Sequence, residues 1–173
     1  RVLFRSVIFL TFKDVKANTW KDAFDSIIEL IVSLYEEHRY LLVSSVLSKE
    51  QTKLYQEILS RKANRAQYER SLFELSKYLH DYHKEKVVIL IDEYDTCLHE
   101  AYAKGYYEEA ISFFRNLLSG AFKDNSALYK GVMTGILRIA RESLFSGLNN
   151  LAVYSLLQPE FATSFGFTEP EVM

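Results

Sequence analysis

Three features of this 173-residue chain predict an α/β fold built on a parallel sheet. Val87-Val88-Ile89-Leu90-Ile91 is an unbroken aliphatic run, the pattern of a strand covered on both faces, as strands of parallel sheets are. That run stops at Asp92 and Glu93, so two carboxylates fall at the carboxyl end of a strand, where ligands bind in such folds. Strand-like runs also alternate with long amphipathic stretches, the order that produces right-handed crossover units. The length suits one domain, and 49% hydrophobic residues suffice for a substantial core.

The elements follow in order. Val7-Ile8-Phe9-Leu10-Thr11-Phe12 has strand composition, and a polar break runs from Lys13 to Asn18. Asn18 or Thr19 can cap the next segment, in which Trp20, Ala23, Phe24, Ile27, Ile28, Ile31, Leu34 and Tyr35 recur at helical spacing up to about Arg39. Tyr40 to His83 reads as helical, broken near Ser48 and again around Ala63 to Ala66. The acidic strand is followed by a short helix or loop from His99 to Gly105. A second clear stripe then runs from Tyr107 through Phe122 and ends near Lys123-Asp124-Asn125. Gly131 to Gly135 predicts a further strand and Leu151 to Leu157 a last one. Thr168 and Pro170 are placed to start a final helix.

Several functions are disfavoured. A net charge of −2 gives no electrostatic case for nucleic acid or an anionic membrane. The cluster Arg61, Lys62, Arg65 and Arg70 reads as a solvated helix face. A single cysteine, Cys97, precludes an internal disulfide, and no apolar stretch approaches the roughly 20 residues of a membrane span; a cytoplasmic location is expected. His80 and His83 share a helix face at i, i+3 but lack the further ligands of a metal site.

The chemistry that suits strand-end acids is nucleotide hydrolysis. One acid can hold Mg²⁺, usually through water, while the next polarises a water aimed at the γ-phosphate. Because successive strand side chains point to opposite faces, Asp92 and Glu93 can take separate roles only if the chain turns just after Ile91. The pattern resembles the Walker B element of AAA-like P-loop ATPases. Longer stretches, IDEYDTCLHEAYAKGYYEEAISFFRNLL, YKGVMTGILRIARESLFSGLNNLAVYSLL and FGFTEPEV, resemble the predicted AAA-ATPase-like family of bacteria, often attached to a nuclease-like C-terminal domain of the PD-(D/E)XK kind that is absent from this sequence.

That resemblance implies a three-layer P-loop NTPase-like fold of the ASCE type, a parallel sheet with flanking helices. It also implies ATP and Mg²⁺ as ligands of the complete domain, with Asp92 holding the metal and Glu93 activating water. Thr134 would sense the γ-phosphate from the adjacent strand, and Arg138 could reach the same pocket to stabilise transferred charge. One departure is large: no G-x-x-x-x-G-K-[ST] occurs, so the glycine N–H groups and the lysine that cradle phosphates are missing. In the family that loop precedes the first strand seen here, so residues 7–173 are expected to be a domain fragment incomplete at its N-terminus, binding nucleotide weakly or not at all. Arg1 to Ser6 can be encoded by the end of a common sequencing adapter and are set aside as non-native read-end sequence. A non-catalytic interaction or regulatory module, in which Asp92 and Glu93 only order a loop, is the alternative.

Overall fold

The computed structural model describes residues 6–136, 152–155 and 169–172. Three strands, β1 (Val7–Thr11), β2 (Val87–Asp92) and β3 (Leu128–Met133), form a parallel sheet in the order β1-β2-β3, so the acidic strand is central. Between β1 and β2 lie α1 (Trp20–Glu37), a 3₁₀ turn (Arg39–Val43), α2 (Lys49–Leu59), α3 (Arg65–Glu69) and α4 (Ser71–His83). Between β2 and β3 lie α5 (Tyr94–Lys104) and α6 (Tyr107–Phe122), and α7 is a single turn, Glu169–Val172. The α/β class and the parallel sheet are therefore as the sequence predicts.

Local chemistry sets the boundaries. Thr19 caps α1, its hydroxyl accepting from the Asp22 N–H. Ser48 and Asn64 each form a capping box, with Gln51 and Gln67 reaching back to the cap backbone. Gly105, at φ +82°, ends α5 in the left-handed region that glycine adopts without steric cost. The basic cluster is absorbed largely in ion pairs on the surface: Arg61 with Glu29, Arg65 with Glu69 and Arg70 with Glu74.

The core lies between the helices and one face of the sheet. Ile8 and Leu10 of β1 and Val87, Ile89 and Ile91 of β2 are buried there with Ile27, Ile31, Leu72, Leu79, Phe114 and Leu118. Full burial of each such side chain contributes about 1.5–3 kcal/mol. Two buried tyrosines bond their hydroxyls where helices meet: Tyr35 donates to the Ser71 carbonyl and Tyr55 to the Tyr35 carbonyl.

The opposite face departs from expectation. Residues paired across a parallel ladder share a face, so Val7, Val88, Phe9, Leu90 and Val132 lie together. Val7, Phe9 and Val132 are 45%, 55% and 42% exposed, and Val88 and Leu90 are only half-buried. The expected strand covered on both faces is thus covered on one by the described residues, which supply two layers rather than three.

Other differences are local. The short helix or loop expected from His99 to Gly105 is a helix that already begins at Tyr94, because Glu93 turns the chain directly from strand into helix. Strand β3 begins three residues before Gly131 and ends at Met133. Residues 152–155 of the expected last strand have no regular structure; the rest of that segment lies outside the described residues, as do Arg138 and the adjacent Asn149 and Asn150. No described helix is long and apolar enough to cross a membrane.

Candidate functional site

The carboxyl ends of all three strands meet at Asp92. Because side chains alternate along a strand, Phe9 and Thr11, Leu90 and Asp92, and Val132 and Thr134 fall on the same face, and Thr11 pairs in register with Asp92. A polar row, Thr11, Asp92 and Thr134, therefore closes the end of the apolar row made by Phe9, Leu90 and Val132. The Thr11 hydroxyl donates to Asp92 Oδ2 at 3.2 Å, and the Thr134 hydroxyl donates to Oδ1 at 2.5 Å. Each oxygen of the carboxylate thus accepts one hydroxyl proton, one from each flanking strand.

The backbone beneath this row is equally constrained. Phe12 N–H donates to the Asp92 carbonyl at 3.0 Å, Thr134 N–H to the Ile91 carbonyl at 2.9 Å, and Tyr94 N–H to the Thr134 carbonyl at 3.3 Å. Sheet pairing thereby extends past the last residue of each flanking strand.

Glu93 leaves the strand alternation. Its backbone is left-handed, φ 49° and ψ 44°, and it occupies the N-cap position of α5. A non-glycine residue held there costs about 1–3 kcal/mol, a strain found disproportionately at functional sites. The turn separates the two adjacent carboxylates and comes one residue later than the sequence predicts, after Asp92 rather than after Ile91. Glu93 N–H donates to Thr134 Oγ1 at 3.3 Å, and the Thr96 hydroxyl donates to Glu93 Oε2 at 3.2 Å.

Asp95 lies inside α5 rather than at its cap, a position that Glu93 takes. It is 4% exposed, in the first turn of α5, against Gly135. A Cβ at Gly135 would come within 2.8 Å of Asp95 Oδ1 and 2.9 Å of the Tyr94 ring, so that position requires glycine for close approach. Cys97, one turn on, is fully buried, and burial pushes its thiol up to about 12, as befits a structural side chain rather than a nucleophile.

Of the four residues singled out from sequence, the structure brings three together, Asp92, Glu93 and Thr134; Arg138 lies outside the described residues. Sequence reasoning missed Thr11, Thr96 and the packing of Gly135. A signal for Thr11 existed: Val7, Phe9 and Thr11 alternate, so a parallel alignment with Val88, Leu90 and Asp92 sets a hydroxyl level with the acid.

The donor set at the row is all oxygen, a half-buried carboxylate between two hydroxyls. That suits a hard divalent cation such as Mg²⁺, which keeps several waters and is commonly bound through one or two carboxylates plus substrate phosphates. Elsewhere, His83 Nε2 lies 2.9 Å from the Tyr40 hydroxyl and His38 Nδ1 3.4 Å from it, so His83 is engaged in an aromatic cluster with Tyr40 and Tyr82. Among the described residues no group of three or more His, Cys, Asp or Glu side chains is arranged to hold a metal.

An α/β domain with a parallel sheet and paired acids at the exit of its central strand belongs to a class many families share. Residues 4–145 match the model of the family described as Predicted AAA-ATPase, and the chain belongs to this AAA-ATPase-like family. A relative described as "Uncharacterized protein in vnfD 5'region", from Azotobacter chroococcum mcd 1, is 32% identical over 115 residues. The aligned part is 65% of this chain and 21% of the relative, so it spans about a fifth of the relative's length. No solved structure matches.

Proposed function

We propose that this chain carries the metal-holding and water-activating part of an ATP-hydrolysing site, its Walker B element. Asp92 holds Mg²⁺ through water, and Glu93 orients and deprotonates the water that attacks the γ-phosphate. Mg²⁺, when bound, supplies neutralisation of charge on the β- and γ-phosphates. Thr134 sits beside both acids; its single proton is engaged by Asp92, so it meets the attacking water as an acceptor. Arg138, four residues further along, is assigned the stabilisation of charge on the transferred group.

The observation that carries this reading is the separation of two sequence-adjacent carboxylates at the exit of the central strand. One is held in the polar row by hydroxyls from both neighbours, and the other is turned away through a left-handed residue. A pair that only ordered a loop would not need a hydroxyl on each oxygen of the first acid. The phosphate cradle is not among these 173 residues, so the reading assigns it to another part of a longer protein.

Glu93→Gln in the full-length protein tests the assignment. The amide keeps the size of the side chain and removes the base, so ATP hydrolysis falls by about 10²–10⁴-fold while ATP affinity stays within about threefold. Unchanged turnover removes Glu93 from the reaction. Failure of the full-length parent to bind ATP by calorimetry favours the non-catalytic module.

A further inference from the structure

We infer that Thr11, at the end of β1, is a positioning residue for the metal-holding acid; the inference rests on the ATPase reading above. Thr11 stands 81 residues before Asp92 in the chain, yet its hydroxyl donates to Asp92 Oδ2. The symmetry of the two threonines is the central observation. Thr11 Oγ1 accepts from the Lys13 N–H at 3.4 Å while donating to Asp92, and Thr134 Oγ1 accepts from the Glu93 N–H at 3.3 Å while donating to Asp92.

A hydroxyl has one proton and two lone pairs. A backbone N–H directed at each oxygen therefore leaves the hydroxyl proton to point elsewhere, and in both cases it points at Asp92. The main chain of two loops sets the direction of two hydroxyls, and those hydroxyls fix the rotation of the carboxylate about its Cβ–Cγ bond. A carboxylate offers about four lone-pair directions, so two remain for water ligands of a cation. Side chains that orient a metal-holding group are worth about 10–100-fold in metal affinity. Thr134 alone would anchor only one oxygen and leave the other free to swing out of the row. Thr11 supplies the second anchor and ties the first strand, which carries no acid, to the geometry of the site.

The test uses the full-length protein and compares the parent with Thr11→Val, which removes the hydroxyl at nearly constant shape, and Thr11→Ser, which restores it. The readout is free Mn²⁺ measured by electron paramagnetic resonance in the presence of a non-hydrolysable ATP analogue, with analogue affinity measured separately without metal. Thr11→Val is expected to weaken Mn²⁺ binding about tenfold, at the lower end of that range, while metal-free analogue affinity is unchanged; Thr11→Ser recovers most of the loss. Thermal melts check that all three proteins are folded. If Thr11→Val unfolds, Thr11→Ser and Thr11→Ala carry the comparison: serine within about threefold of the parent and alanine about tenfold weaker supports the assignment. Mn²⁺ affinity within twofold of the parent in every folded variant lacking the hydroxyl overturns the role of Thr11 and leaves the ATPase reading intact. Absence of any Mn²⁺–analogue complex in the parent overturns that reading, and this assignment with it.

Discussion

The two faces of the sheet are made from the same kinds of residue and live in different surroundings. On one, Ile8, Leu10, Ile89 and Ile91 are buried against α1, α4 and α6. On the other, Val7, Phe9 and Val132 remain largely open, and the polar row Thr11, Asp92, Thr134 sits at their end. The contrast separates two meanings of an apolar strand. Hydrophobic run length reports that a face is suited to being covered, whereas the alternation of polar residues at the strand tips reports where chemistry is presented.

The largest effect should come from the covered face. Ile89→Ala removes a fully buried side chain from the central strand and is expected to lower the unfolding free energy by about 3 kcal/mol in urea titrations. Phe9→Ala, one strand away on the open face, should cost about 0.5 kcal/mol, since little of its surroundings is lost. Equal losses would erase the distinction between the faces.

A smaller effect is expected where the tip meets α5. Gly135→Ala forces a Cβ toward Asp95 and Tyr94, costing about 1–3 kcal/mol, and heat-denaturation midpoints report it. An unaltered midpoint would mean that the start of α5 yields freely, and the rigid tip would have to be given up.

The smallest change concerns Glu93. Glycine accepts a φ of 49° without strain, so Glu93→Gly should leave stability unchanged or raise it by up to about 1 kcal/mol, even though the contact with Thr96 is lost. A loss of more than about 1 kcal/mol in chemical denaturation would show that the carboxylate is there for the fold, sharpening the case for the non-catalytic module.

Much of the architecture was legible because local signals were strong. Thr19, one of two candidate caps before an apolar stripe, is the cap of α1, and the break expected near Ser48 is the start of α2. The end of β2 at Asp92 followed from the abrupt loss of aliphatic residues. What local pattern could not convey was the strand-to-helix turn at Glu93, since Glu93-Tyr94-Asp95-Thr96 contains no glycine or proline to mark it. Strand β3 began earlier than expected because Leu128, Tyr129 and Lys130 carry no alternation, their register being imposed by pairing with β2. The candidate site was half legible: Asp92, Glu93 and Thr134 stand at strand ends that pattern reveals, whereas Thr11 joins them only through the sheet order, a non-local property.

Main-chain pairing continues beyond the strands themselves, through the amides of Phe12, Tyr94 and Thr134. Deuterium uptake at those three positions should accordingly be slow, although the Thr134 side chain faces solvent. The conformational freedom of the acid-bearing peptide is lost when the polypeptide folds, so a ligand arriving there meets a surface that needs no further ordering.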